Sequence, residues 1–207
     1  MLLNQLGDKV EELLATFEAI SPERRKLLLG LSGYIRLKRQ KKLPIQLVFI
    51  CTHNSRRSQM AEAWARVAAY HFGLADIQVY SGGTEVTAFH PNAVRALRSA
   101  GFSIQAISSG GNPVYSITIA KGVSWNAYSK VYDDTTLPDK SFVAIMTCSE
   151  ADATCPSVSG ADLRLPIRYE DPKISDGSQQ ESSIYTTRAN EIGREMLFVM
   201  QDVVAGN

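Results

Sequence analysis

Apolar and polar positions along this chain follow two periods, and their order predicts its elements. Leu3, Leu6, Val10, Leu13, Leu14 and Phe17 recur at three and four residues, the spacing of one helix face. Ser21-Pro22 then offers an N-cap and first helical residue for a second helix through Leu27, Leu28, Leu31 and Tyr34–Ile35, which Pro44 stops. The apolar run Leu47–Ile50 reads as a strand that breaks at Cys51. From about Gln59 helical spacing returns, with Met60, Ala61, Trp64, Ala65 and Ala68 on one face. Asp76–Ser81 alternates as a second strand closed by Gly82-Gly83, and His90-Pro91-Asn92 opens a helix through Val94 and Leu97 that Gly101 ends. Strand and helix alternating at this spacing argue for βαβ units and a parallel sheet.

From about residue 109 to 140 the pattern changes. Asn112–Ile119 and Trp125–Tyr132 both read as strands with Lys121-Gly122 near the turn, which predicts a β-hairpin insertion. Lining of a site, a homodimer contact and sheet packing account for its Tyr and Trp side chains about equally well. Ser141–Thr147 is a continuous apolar run, the mark of a buried parallel strand, and it ends at Cys148. Leu163–Ile167 reads as the last strand. A final helix over residues 181–204 carries Ile184, Ile192, Met196, Val199 and Val203 on its apolar side.

Composition narrows the classes. The 207 residues are 44% hydrophobic and 21% charged, as in a soluble globular protein with room for a sizeable core. A net charge of +1 gives no global reason to expect nucleic acid. No apolar run approaches a membrane span and the N-terminus lacks a signal pattern, so the cytoplasm is the expected location. Arg36, Lys38, Arg39, Lys41 and Lys42 crowd the end of the second helix. A membrane-surface or nucleic-acid patch is one reading of them, but a solvated basic helix end is the preferred one. Three cysteines make an odd, small set that argues for reactive thiols over a disulfide scaffold.

The candidate chemistry lies in Cys51-Thr52-His53-Asn54-Ser55-Arg56-Arg57-Ser58. A loop that ends at a helix N-terminus presents converging N–H groups and the positive end of the dipole, a nest for a tetrahedral oxyanion. Thr52, His53, Asn54, Ser55, Arg56 and Ser58 are the candidate oxyanion-binding residues, and Arg57 can fork onto two oxygens. The same field favours a nucleophilic thiolate at Cys51, with Ser58 placed to donate to the sulfur. A bare Cys-x5-Arg is more often a buried cysteine ending a strand with a solvated arginine. The strand before it and the helix after it tip the balance to the nest. Cys148 and Cys155 stand seven positions apart, and Cys148 should share the carboxyl rim of the sheet with Cys51. No His or further Cys lies at ligand spacing, so neither a metal nor a cofactor is expected.

This loop resembles the phosphate-binding loop of the low-molecular-weight tyrosine phosphatases and of the thioredoxin-coupled arsenate reductases, which share one fold. Asn54-Ser55 and Gln59-Met60-Ala61-Glu62 are most similar to the reductase branch. The chain departs from both at His53, usually Gly, and at Arg56, often a second Cys. The resemblance spans roughly residues 45 to 204, with the hairpin as an addition. It implies an α/β three-layer sandwich around a four-stranded parallel sheet, with residues 1–43 as a helical extension and 44–207 as the catalytic domain. It implies catalytic roles for Cys51, Arg57 and Asp171, since Asp171 matches the aspartate of an Asp-Pro pair that protonates the leaving oxygen. Cys148, Cys155 and Pro156 match the reductases' second and third cysteines and the proline after them. That match implies reduction of arsenate through a Cys51–Cys148–Cys155 relay and a thioredoxin-like reductant. The alternative, a phosphatase on phosphotyrosine or a small phosphoester, needs only Cys51, Arg57 and Asp171. Phosphatases usually follow the acid with aromatic residues, where this chain has Lys173-Ile174. A third reading is a non-catalytic oxyanion-binding or interaction module, against which the intact Cys–Arg–Asp set speaks. Asn54 and Glu62 also resemble positions that hold a structural cation in some reductases, and loop-bracing hydrogen bonds explain them as well.

Overall fold

The computed structural model describes residues 1–154 and 157–206. Its strands are β1 (Ile45–Cys51), β2 (Ile77–Gly83), β3 (Ser103–Ala106), β4 (Tyr115–Ala120), β5 (Val123–Ala127), β6 (Phe142–Met146) and β7 (Ala161–Leu165). Its helices are α1 (Asn4–Leu14), α2 (Pro22–Gln40), α3 (Arg57–His71), α4 (Pro91–Ser99), α5 (Ser149–Thr154) and α6 (Glu181–Ala205). Four strands form a parallel sheet in the order β2-β1-β6-β7. The register aligns Cys51 with Gly83 on one side of β1 and Ile50 with Met146 on the other. All the strand ends that matter for chemistry therefore meet at one rim.

The continuous apolar run of β1 has a direct cause. Leu47 and Phe49 belong to the larger core, with Trp64 of α3 and Met196 of α6, whereas Val48 and Ile50 belong to a smaller one with Met146, Cys148 and Ala151. A strand covered on both faces has no polar positions to alternate with. The fold is thus α/β, a four-stranded parallel sheet flanked by helices.

The first two helices are integral to the larger core. Leu6, Val10 and Leu13 of α1 and Leu28, Leu31 and Ile35 of α2 are buried in it, and the Phe17 ring meets Phe198 of α6 edge-on at 5.5 Å. Each such side chain contributes roughly 1.5–3 kcal/mol by burial. Ser21 caps α2 by accepting from the Arg24 N–H, as its Ser-Pro start predicts. Gly101 lies where α1 crosses the chain. Its φ is +99°, and a Cβ there would sit 2.4 Å from the Leu6 nitrogen. The crowded basic end of α2 is largely neutralised, because Arg36 pairs with Asp202, Lys38 with Asp162 and Arg39 with Asp76. Among the described residues no helix is long and apolar enough to cross a membrane.

The hairpin is present but differs from its predicted form. β4 and β5 turn at Lys121-Gly122, where Gly122 has φ +75°, and β4 also pairs with β3 to make a separate three-stranded antiparallel sheet. β3 escaped the sequence reading because four residues are too few to show a period. The segment from Tyr128 onward leaves the hairpin, since its backbone groups are taken elsewhere. Lys130 gives its N–H to Asn54, and Ser129 exchanges backbone bonds with the Asn112 side chain. The N-terminus joins the same sheet, as Leu3 donates to the Ile119 carbonyl at 2.9 Å. β7 ends at Leu165, ahead of Pro166, two residues short of the prediction.

Candidate active site

Cys51 ends β1 and Arg57 begins α3, so residues 52–56 must turn the chain within the rim. Asn54 makes that turn possible. It adopts φ +45°, a left-handed conformation that Asn tolerates better than most residues. Its fully buried side chain is held on all sides. The amide donates to the Ser58 and Ser81 hydroxyls, each at 2.9 Å, while its oxygen accepts from Gln59 Nε2 and the Lys130 N–H, each at 3.0 Å.

The loop carbonyls are drawn outward. The Cys51 oxygen accepts from Thr84 N–H, Thr52 from Glu85 N–H, His53 from the Ser129 hydroxyl and Ser55 from His90 N–H. With its carbonyls so engaged, the loop has its N–H groups left for an anion. β2 comes so close that a Cβ on Gly83 would lie 2.7 Å from both the Asn54 nitrogen and the Thr52 oxygen, so only glycine fits.

Cys51 is 4% exposed, and its Sγ lies 3.1 Å from the Ser58 Oγ. Because Asn54 donates to that same Oγ, the Ser58 hydrogen is free to point at the sulfur. The sulfur therefore meets a hydrogen-bond donor.

Arg57 is buried, with Nη2 on Asp171 Oδ2 at 2.6 Å, Nη1 on the Tyr169 carbonyl at 3.1 Å, and Glu150 at 3.8 Å. Asp171 also caps the short 3-10 turn Pro172–Ser175 by accepting from the Lys173 N–H. Tyr169 is in turn fixed from below. Its hydroxyl donates to Glu195, which accepts a fork from Arg24 of α2. Burial, with Glu195 beside it, holds the Tyr169 phenol well above its ordinary range. Arg24 of α2 thus reaches Arg57 through Glu195 and Tyr169.

Cys148 follows β6 directly and is fully buried. Its Sγ accepts from the Ala151 N–H at 3.3 Å and lies 3.5 Å from the Thr52 hydroxyl, the residue next to Cys51. α5, which starts behind it, is pinned through Asp152 to Arg164 and Arg168. Cys155 and Pro156 lie outside the described residues.

The fold brings Cys51, Arg57, Asp171 and Cys148 to one rim. Two of the candidate anion ligands turn their side chains elsewhere. Asn54 faces into the protein as a brace. Arg56 directs its guanidinium to Tyr185 through Nε and to Asp176 through Nη2. His53 is half-exposed, 3.5 Å from Glu85. The Asn54–Glu62 pair reads as loop bracing, because Ser81 bridges them by accepting from Asn54 and donating to Glu62 at 2.6 Å. Arg66 pairs with Glu62, and Lys130 also lies within its field. Among the described residues no group of three His, Cys, Asp or Glu side chains could hold a metal ion.

Sequence reasoning missed Ser81, Ser129 and Lys130 as loop braces. Ser81 was within reach, because it sits near the carboxyl end of the strand beside β1. Ser129 and Lys130 carry no local signal. Beside the nest lies an open groove of about 780 Å³, lined by Arg57, Glu150, Arg168, Asp171, Lys173 and Ile174.

The brace makes a prediction. Asn54→Ala removes four buried hydrogen bonds and strands their partners, at a cost of about 3 kcal/mol. Denaturant unfolding should show the loss, together with roughly a hundredfold lower turnover. Wild-type stability in this variant would mean that the loop holds its shape without Asn54.

Three comparisons bear on this site. Residues 46–157 match the family described as low molecular weight phosphotyrosine protein phosphatase. Arsenate reductase of Bacillus licheniformis is 31% identical over 151 residues, covering 72% of this chain and 91% of that protein; its Bacillus subtilis counterpart is 29% identical over the same shares. Among solved structures, a low molecular weight phosphotyrosine phosphatase from Vibrio cholerae O395 superposes with a TM-score of 0.53 at 17% identity, over 78% of this chain and 98% of that one. The protein tyrosine phosphatase of the same class from T. tengcongensis gives 0.52 at 20% identity, over 76% and 99%. At that identity the two structures speak for the fold alone.

Proposed function

The chain belongs to the low molecular weight phosphotyrosine protein phosphatase family, and within it we propose that it reduces arsenate to arsenite by a three-thiol relay. Relatives named arsenate reductase at about 30% identity support this reading. The observation that carries it is the position of Cys148, whose buried sulfur lies 3.5 Å from the hydroxyl of the residue after Cys51.

In the first step the Cys51 thiolate attacks arsenic, forming an S–As bond as one As–O bond breaks. Arg57 leaves Asp171 to fork onto the oxyanion, and Asp171, then protonated, gives its proton to the departing oxygen, which leaves as water. Cys148 next attacks the Cys51 sulfur. The S–As electron pair goes to arsenic, which leaves as arsenite, and a Cys51–Cys148 disulfide remains. Cys155 attacks Cys148 and frees Cys51. A thioredoxin-like dithiol then reduces the Cys148–Cys155 disulfide and takes up the oxidation. Because Cys148 serves two partners in turn, α5 has to shift between the steps.

A stoichiometric reaction tests the relay. Reduced protein given arsenate without any reductant should yield one arsenite per chain and a Cys148–Cys155 disulfide in peptide mass spectra. Three titratable thiols after that treatment would contradict it.

A phosphoester hydrolase is the second reading, favoured by the Cys51–Arg57–Asp171 set, which that chemistry needs and which would suffice for it. Lys173-Ile174 follow the acid where these phosphatases usually carry aromatic residues, and Ile174 is 90% exposed. Under this reading a small phosphoester is favoured over phosphotyrosine. The two activities can coexist in one nest, since phosphate and arsenate are alike in shape and charge.

A further inference from the structure

The two consecutive arginines of the loop reach opposite ends of one short turn. Arg57 holds Asp171, the N-cap of the 3-10 turn Pro172–Ser175. Arg56 Nη2 donates to Asp176 Oδ2, just past the end of that turn, at 2.8 Å. Tyr185 of α6 completes the second grip. It accepts from Arg56 Nε at 2.6 Å and donates to Asp176 Oδ1 at 2.7 Å, while Asn92 of α4 donates to the same oxygen. His90 stacks on the Tyr185 ring with centroids 6.0 Å apart, and its Nε2 lies 3.8 Å from Asp176. Its own N–H holds the Ser55 carbonyl of the loop. Arg56, Asp176, Tyr185 and His90 thus join the oxyanion loop, the acid turn, α4 and α6 at one point.

We propose that Arg56 is a positioning residue, whose fork to Asp176 and Tyr185 keeps the Asp171 turn in place while Arg57 is engaged with the oxyanion. The proposal rests on the functional reading above. Arg57 holds Asp171 through Nη2 alone, and an oxyanion that draws Nη2 into its fork competes with that ion pair. When Arg57 turns to the anion, the N-cap end of the turn loses its ion pair, and the grip at Asp176 remains. The charges in this grip are steady across neutral pH. Burial raises Asp176, but the bonds from Tyr185 and Arg56 outweigh it and hold the carboxyl below its usual range. Burial and Asp176 push the Tyr185 hydroxyl up to about 12, so it stays a neutral donor. His90 is held down by burial and by Arg56, which keeps it neutral beside the arginine.

Arg56→Ala and the near-isosteric Asp176→Asn test the assignment against hydrolysis of phenyl phosphate and p-nitrophenyl phosphate. Phenolate is the poorer leaving group and depends more on a well-placed acid. Both variants should lower kcat for phenyl phosphate by roughly tenfold to a hundredfold, with a several-fold smaller loss on p-nitrophenyl phosphate. On arsenate they should lower kcat and leave KM unchanged, because anion binding belongs to Arg57 and the loop N–H groups. Hydrogen exchange of residues 170–177 should quicken in both variants, and Arg56→Lys, which keeps the charge without the fork, should restore part of the protection. Equal losses on the two esters, a rise in KM alone on arsenate, or unchanged exchange would each overturn the positioning role. A wild-type chain inert to arsenate and to both esters would instead sink the functional reading, and hydrogen exchange would then decide the clamp by itself.

Discussion

Cys51→Ser should abolish turnover of arsenate and of aryl phosphates, by at least about 10⁴-fold, while the protein still folds and still binds phosphate. The chemical part of the expectation is that a serine hydroxyl is a far weaker nucleophile than a cysteine sulfur. The structural part is that the anion site does not depend on the sulfur. The carbonyls of Cys51, Thr52, His53 and Ser55 are tied outward by Thr84, Glu85, Ser129 and His90, so the N–H groups keep their direction in the variant. The sulfur itself packs beside Ser58 at the edge of the smaller core, and the substitution costs little volume. Phosphate should therefore still raise the melting temperature of the variant by mass action. A variant that retains a tenth of wild-type turnover would place the nucleophile elsewhere.

Cys148→Ser should separate the two chemistries of the nest. Arsenate turnover should fall to background, because the S–As adduct on Cys51 would have no thiol to release arsenic as arsenite. Hydrolysis of p-nitrophenyl phosphate should stay within about twofold of wild type, since ester cleavage asks only for Cys51, Arg57, Asp171 and water. The substitution is conservative in the fold. Cys148 accepts from the Ala151 N–H and lies near the Thr52 hydroxyl, and an oxygen can take both roles. Equal losses on arsenate and on the ester would mean that Cys148 matters through packing and not through its thiol.

What could be read from the sequence follows from how local each signal is. The apolar run of β1, the helical spacing from Met60 to Ala68 and the Cys-x5-Arg between them lie within one stretch of chain, and the physics of a helix N-terminus links them. Ser21-Pro22, His90-Pro91 and the buried run of β6 were legible for the same reason. The braces were not. Ser129 and Lys130 hold the loop from more than seventy residues away, and Arg24 reaches Tyr169 through Glu195, so neither link leaves a trace in spacing. Arg56 is the instructive case. Its neighbours in sequence suggested an anion ligand, and only the fold could bring Asp176 and Tyr185 to its guanidinium. The basic end of α2 is a conspicuous charge run, and the partners of three of its charges, Asp76, Asp162 and Asp202, are scattered along the chain where spacing does not show them.

The most direct test of the central claim is NADPH oxidation coupled through thioredoxin and thioredoxin reductase, with arsenate as substrate, comparing the intact chain with Cys155→Ser. The three-thiol account predicts sustained oxidation with the intact chain and at most one equivalent with the variant. Undiminished multiple turnover in Cys155→Ser, or no turnover on arsenate beside ester hydrolysis indifferent to both later cysteines, would contradict it.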